Sequence, residues 1–195
     1  MIRTLRILVL GLAIAAPGYA QTIPTWEVFG GYSWQRSNLR EYFKSTPIIY
    51  SVRNKGGSLN GFDVAFTENL NSWFGGTLDI TGHFAAPEIS GVKTHEAMYT
   101  FMYGPRFSYR NRPGWTGFGH VLAGVAHMSA KVTPTGPHAD DTSFGLAAGG
   151  GLDVKFRGNT AIRVLQAEYL HANSLGANHN NFRLSAGIIL YLGEK

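Results

Sequence analysis

Beyond its first twenty residues the chain alternates apolar and polar positions with a period of two, the pattern of strands rather than of helices. In Trp26 to Gln35, Trp26, Val28, Gly30, Tyr32 and Trp34 share one face, and Glu27, Phe29, Gly31, Ser33 and Gln35 the other. Phe62, Val64 and Phe66 oppose Gly61, Asp63, Ala65 and Thr67, and Phe74, Leu78, Ile80 and Phe84 oppose Gly75, Thr77, Asp79, Thr81 and His83. Tyr99, Phe101, Tyr103, Phe107 and Tyr109 oppose Thr100, Met102, Gly104, Arg106 and Ser108. Later, Phe144, Leu146, Ala148, Leu152, Val154 and Phe156 oppose Ser143, Gly145, Ala147, Gly149, Gly151 and Asp153. The last run sets Phe182, Leu184, Ala186, Ile188, Leu190 and Leu192 against Arg183, Ser185, Gly187, Ile189 and Tyr191.

Two further runs depart from this regularity. In Thr116 to Ser129, Val121, Ala123 and Val125 compete with Phe118, Leu122 and Met128 for the apolar face, so the parity stays open. In Ala161 to His171, Arg163 and Glu168 have opposite parity, and both reach one face only if a bulge intervenes near Gln166. The total is eight strands, an even number.

The connections alternate in length. Short links at Asn69 to Ser72, Asn111 to Gly114 and Arg157 to Asn159 interleave with long ones at Ser37 to Gly57, Ala85 to His95, Lys131 to Asp141 and Ala172 to Asn180. In an up-and-down barrel this sends every short turn to one rim and every long loop to the other, as in outer-membrane barrels. Runs of about ten residues fit a tilted bilayer crossing better than a soluble sandwich strand. Trp26, Trp34, Trp73, Phe74, Phe84, Tyr109 and Trp115 fall near run ends, where interfacial girdles belong. The predicted fold is all-β: an eight-stranded antiparallel up-and-down transmembrane β-barrel.

Composition agrees and narrows the choice. With 44% hydrophobic and 15% charged residues and 25 Gly in 195, the chain is neither disordered nor a helical bundle. Without cysteine it has no disulfide framework and no Cys-based zinc or redox site. Arg3 and Arg6, the apolar run Ile7 to Ala16 and the small residues Gly18 and Ala20 predict a signal peptide over 1–20, leaving 21–195 as the barrel domain. Losing Arg3 and Arg6 leaves a cationic excess too mild to argue for nucleic acid.

Eight strands enclose a lumen that their own side chains fill. The polar face supplies Glu27, Asp63, Asp79, Asp153, Arg106, Arg163 and Arg183. Register inferred from the short turns places Asp63, Asp79, Arg106, Asp153 and Arg163 in the turn-side half. Buried charges persist there only if paired, so these five form a predicted plug, with Asp79 against Arg106 and Asp63 within reach; an ion-conducting path is the alternative. The seven histidines show no metal-binding spacing, so no metal or other cofactor is expected. Gly149-Gly150-Gly151 lacks the phosphate-loop pattern and instead lets wall and lumen contents approach closely. Arg36, Arg40, Lys44, Arg53 and Lys55 flank or lie in the first long loop, where they would meet lipopolysaccharide phosphates or solvent.

On Glu27-Val28-Phe29-Gly30-Gly31-Tyr32-Ser33, Gly104-Pro105-Arg106-Phe107-Ser108-Tyr109 and Asn181-Phe182-Arg183-Leu184-Ser185-Ala186-Gly187, the chain resembles the single-domain, OmpA-like outer-membrane β-barrels of Gram-negative bacteria. The resemblance covers 24 to 193 and omits the family's peptidoglycan-binding domain. It implies an outer-membrane location, periplasmic termini, lipid and lipopolysaccharide as surroundings, and insertion by the barrel-assembly machinery. Ser185, Gly187, Leu190 and Leu192 match that machinery's signal, with Leu where aromatics are usual and Gly193-Glu194-Lys195 following. A non-enzymatic structural or surface-interaction role follows, with loops carrying an unidentified ligand. The enzymatic alternative is Glu168, His171 and Ser174, which resemble the Ser/His/Glu site of lipid A 3-O-deacylases; that family places Ser two residues after His, whereas here the run is His171-Ala172-Asn173-Ser174.

Overall fold

The computed structural model describes residues 23–37, 57–86, 88–89, 92–112, 114–133, 138–174 and 177–194. The expected leader over 1–20 and the loop cations Arg40, Lys44, Arg53 and Lys55 lie outside these residues. Eight long strands form the wall: β1 (Pro24–Ser37), β2 (Gly57–Asn69), β3 (Phe74–Ala85), β5 (Val92–Arg112), β6 (Trp115–Thr133), β7 (His138–Arg157), β8 (Thr160–Ser174) and β9 (Ala177–Glu194). A two-residue strand, β4 (Glu88–Ile89), pairs with Lys93 and Val92 beside the start of β5. Each long strand pairs antiparallel with its sequence neighbours, and β1 pairs with β9 from Pro24↔Glu194 to Ser37↔Asn181, closing the barrel.

The alternation read from the sequence maps directly onto the two sides of this wall. Phe62, Phe66, Tyr103, Phe107, Phe144, Ile188 and Leu190 point outward and are exposed, while Asp63, Thr77, Asp79, Arg106, Asp153 and Arg183 point inward and are buried. In water such an apolar exterior would be a patch far larger than soluble monomers carry; lipid removes that cost. On β6 the competition resolves with Phe118, Leu122 and Ala126 inside and Val121 and Val125 outside.

On β8 a bulge falls where the opposed parity of Arg163 and Glu168 demands one. Register shifts between Arg163 and Gln166 against β9, and Val164 and Leu165 both face outward. Arg163, Gln166 and Glu168 therefore all face the lumen.

The strands are longer than the alternating runs suggest, from 12 to 21 residues. Most of the segments expected as long loops at 85–95, 131–141 and 172–180 are instead strand, paired through Lys93↔Thr133, Lys131↔His138 and Ser174↔Ala177. Hairpins extended beyond the apolar belt have polar surroundings on both sides, so pairing continues where the hydrophobic signal stops.

Candidate functional site: the charged lumen

The interior holds a stack of ion pairs under an apolar cap. At the short-turn end, Arg110 donates from Nη2 to Glu27 Oε1 (2.6 Å) and Asn69 Oδ1 (3.0 Å), and from Nη1 to the Ser72 carbonyl (2.7 Å). Glu27 also faces Arg106, with Nη2 3.1 Å from Oε2. Arg106 donates to Asp153 Oδ2 (3.0 Å) and Thr67 Oγ1 (3.2 Å). Arg163 grips the same Asp153 with two donors, Nε to Oδ1 at 2.8 Å and Nη2 to Oδ2 at 3.1 Å, the bidentate geometry a guanidinium is built for.

Two aromatic rings complete this tier. Arg163 Cζ lies 4.2 Å from the Phe29 ring centroid and 4.3 Å from that of Phe118, which Arg106 also covers at 4.0 Å. Phe29 and Phe118 are apolar residues on the lumen side because the guanidinium faces need π partners as their edges need carboxylates. Gly151 makes room, since a Cβ there would lie 2.8 Å from Phe118 Cζ; likewise a Cβ on Gly149 would lie 2.5 Å from Glu168 Cγ.

A second tier is centred on Glu168 and Arg183. Glu168 accepts from Arg183 Nε (2.6 Å) and Gln166 Nε2 (2.9 Å) and lies 2.7 Å from His120 Nε2. Arg183 donates onward to Asp79 Oδ1 (2.8 Å) and Thr81 Oγ1 (3.0 Å), and Gln166 to Asp63 Oδ2 (3.2 Å) and from its carboxamide oxygen accepts Arg163 Nη1 (2.6 Å). Gln166 thus ties the two tiers together. Beyond them lie Thr81 with Thr100, and Ser33 with His83 and Ser185, and then an apolar cluster of Leu59, Met98, Met102, Leu122, Ala126, Ala147, Leu170 and Ala172.

All five residues expected in the plug, Asp63, Asp79, Arg106, Asp153 and Arg163, are in this stack. The pairing expected between Asp79 and Arg106 is not. Asp79 stands opposite Met102, whereas Arg106 stands opposite Gly75, four residues further along, which separates the two by about 13 Å of strand. Asp79 pairs with Arg183 and Arg106 with Glu27 and Asp153. Sequence reasoning also left out His120, Gln166 and the bridging part of Glu168; the opposed parity of Arg163 and Glu168 was the signal that both belong inside.

The esterase-like set does not assemble. Glu168 and His171 are an odd number of residues apart on one strand, so Glu168 enters the lumen while His171 faces outward, with Nδ1 2.8 Å from Asn180 Oδ1. Ser174 ends β8, and its side chain lies outside the described residues. Of the terminal signal, Ser185 is buried in the lumen and Leu190 and Leu192 are exposed on the outer face. Among the described residues no three or more His, Cys, Asp or Glu side chains gather as a metal site.

A closed eight-stranded wall, apolar outside and lined by paired charges inside, defines a transmembrane β-barrel. The family model for the outer membrane protein beta-barrel domain matches residues 7–189, and the chain belongs to that family. Among solved structures it is similar to Ail, the attachment invasion locus protein of Yersinia pestis, in complex with the heparin analogue sucrose octasulfate, at 20% identity and TM-score 0.57 over 85% of this chain and 97% of that one. Neisserial surface protein A aligns at 15% identity and TM-score 0.61 over 86% and 97%. The N-terminal barrel of Pseudomonas aeruginosa OprF aligns at 14% identity and TM-score 0.50 over 87% and 100%. At these identities the likeness is one of fold. No curated protein matches the chain.

Proposed function

We propose that the chain, after removal of 1–20, is an integral outer-membrane barrel with both termini on the periplasmic side, acting without enzymatic chemistry as an envelope or surface-interaction module. The observation that carries this reading is the lumen itself: Arg106, Asp153 and Arg163 are each at most 2% exposed and bond one another across it. Charges paired in this way tie the wall together and occupy the lumen. Lipid and lipopolysaccharide surround the apolar face, and Ser185, Gly187, Leu190 and Leu192 serve as the signal read by the assembly machinery.

Ail, a barrel of the same fold, forms a complex with a heparin analogue, and by analogy a sulfated polyanion is the ligand class for the loops of this chain. In this chain the cations for a polyanion are Arg36, Arg40, Lys44, Arg53 and Lys55, around the first long connection. Binding of sulfated oligosaccharide that is lost on deleting 38–56 supports that assignment, and binding retained after deletion refutes it.

Plug and channel make different forecasts for one variant. In a planar bilayer the wild-type barrel is expected to be electrically silent, and Arg106→Ala to lower the urea unfolding midpoint by leaving Glu27 Oε2 and part of Asp153 without their cation. Steady wild-type conductance that Arg106→Ala alters, with an unmoved midpoint, overturns the plug. Recovery of the mature chain as a soluble periplasmic monomer overturns the membrane reading altogether.

A further inference from the structure

On the outer face at the long-connection end, a hollow of about 520 Å³ opens across β3, β5 and β6. Phe84, Ala97 and Ser129 form its lower wall and His95 and Lys131 its upper wall, with Glu96 beside them. Phe84 is exposed, and alternation puts His95, Ala97, Ser129 and Lys131 on the same outer side, in the parity of the exposed Tyr99, Phe101, Val121 and Val125. Glu96 falls in the inward parity of Met98 and Met102. Register explains why the surface is hollow here. Phe84 stands opposite Ala97 and Ala97 opposite Ser129, so two small side chains occupy the row between Tyr99 and His127 on one side and His95 and Lys131 on the other. Phe84 closes one flank, its ring edge-to-face with Tyr99 at 5.6 Å.

The two walls differ in chemistry and in depth. His95 and Lys131 are directly opposed across β5 and β6, both are exposed, and neither is in an ion pair among the described residues. His138 takes the next position of the same row, opposite Lys131 on β7. The nearby acids, Glu96 and Asp140, hold interactions of their own. At about 3.4 Å per residue and a strand tilt of about 40°, His95 stands about 5 Å beyond Ala97 and about 10 Å beyond Tyr99 along the bilayer normal. That step leads from the aromatic girdle into the headgroup layer, which is roughly 5–8 Å thick on each side. One hollow thus offers apolar surface at the depth of upper acyl carbons and basic side chains at the depth of a phosphate.

We infer that this hollow is a site for a phosphate monoester carried by a lipid of the leaflet at the long connections, the phosphate lying between Lys131 and His95 and the upper part of one acyl chain against Phe84 and Ala97. The inference rests on the barrel spanning a bilayer. A soluble anion would use the basic rim alone, and the apolar wall directly beneath it is what selects a lipid. A phosphate monoester brings three acceptor oxygens and nearly two charges at neutral pH, enough to take the Lys131 ammonium and a His95 N–H together, whereas a phosphodiester brings two free oxygens and one charge.

Native mass spectrometry of the barrel released from phosphatidylcholine nanodiscs, doped equally with diphosphoryl lipid A and phosphatidylglycerol, tests it. Wild-type protein retains lipid A over phosphatidylglycerol by roughly fivefold or more, the factor that one basic side chain at an anionic surface supplies. His95→Gln with Lys131→Gln brings that ratio close to one. Ala97→Leu with Ser129→Leu fills the hollow while keeping both basic residues, and it lowers lipid A retention as well. Arg157→Gln, at the opposite rim, leaves the ratio unchanged. The heat-modifiable gel mobility of a closed barrel is checked for every variant. Equal retention of the two lipids by the wild type, or a preference that survives the double Gln variant, overturns the site. Displacement of lipid A by inorganic phosphate would show a site for a soluble anion and also overturns it. Failure of the wild type to enter nanodiscs overturns the membrane reading and this site with it, whereas an inserted barrel without the preference overturns the site alone.

Discussion

Arg183 on β9 and Asp79 on β3 are bonded across the lumen, Nη2 to Oδ1 at 2.8 Å, although β1 and β2 stand between their strands in the wall. The contact is a transverse tie. Backbone ladders join each strand only to its neighbours, so resistance to flattening of the cross-section comes from inside, and Arg183 supplies much of it by holding Glu168 with Nε while it holds Asp79.

Arg183→Ala is therefore expected to destabilise the barrel by about 3–5 kcal/mol, because it leaves two buried carboxylates without their cation. Arg183→Met combined with Asp79→Asn and Glu168→Gln is expected to recover much of that loss, since both carboxylates that Arg183 bonds are neutralised with it. Urea unfolding in lipid vesicles measures both. A single variant within about 1 kcal/mol of wild type would show that the tie carries no load.

The outer face gives a second expectation. Leu78 lies near the middle of β3 between Phe66 on β2 and Tyr103 on β5. Leu78→Arg is expected to cost about 2–4 kcal/mol if that level is the bilayer midplane. The same substitution at Trp115, near the short-turn rim, costs about 1 kcal/mol or less in charge placement. Equal costs at the two positions would mean that the apolar face is not lined by lipid in the depth order inferred.

The bulge on β8 gives a third, with two deletions that look alike on paper. Removing Val164 restores strict alternation from Arg163 through Gln166 and Glu168 and regularises pairing with both β7 and β9. Removing Ala167 instead turns Glu168 and Leu170 outward, and carries a carboxylate into lipid. The Val164 deletion is expected to fold and insert; the Ala167 deletion is expected to fail, as read by heat-modifiable mobility. Equal behaviour of the two would contradict the assigned facing of β8.

Facing was readable from the sequence because one side of the wall meets hydrocarbon and the other meets ionised groups, a contrast strong enough to set parity on most strands. It blurred on β6, where Phe118 and Leu122 face inward as packing for guanidiniums and methionines, so that both sides of the strand are apolar. Register was less accessible. Asp79 and Arg106 belong to strands joined through a long connection, and parity says that two residues share a face without saying at what height. Strand length was hidden for a related reason: the hairpin ends at Lys93 and Thr133 or Lys131 and His138 pair where no apolar belt marks them. Glu168 shows the cost of reading spacing without facing, since three positions bring side chains together on a helix and separate them on a strand.

The seam between β1 and β9 joins the two ends of the chain, and Ser33 bonds Ser185 across 152 positions. Loop-closure entropy for so distant a pairing is met late, after the hairpins β1–β2 through β8–β9 are available as local units. Until then the growing sheet has two unpaired edges, each able to recruit another molecule's strand. The time a chain spends as an open ribbon is therefore the interval in which it most needs an escort, and the seam that ends it is close-fitting, since a Cβ on Gly187 would lie 2.3 Å from the Gly30 carbonyl.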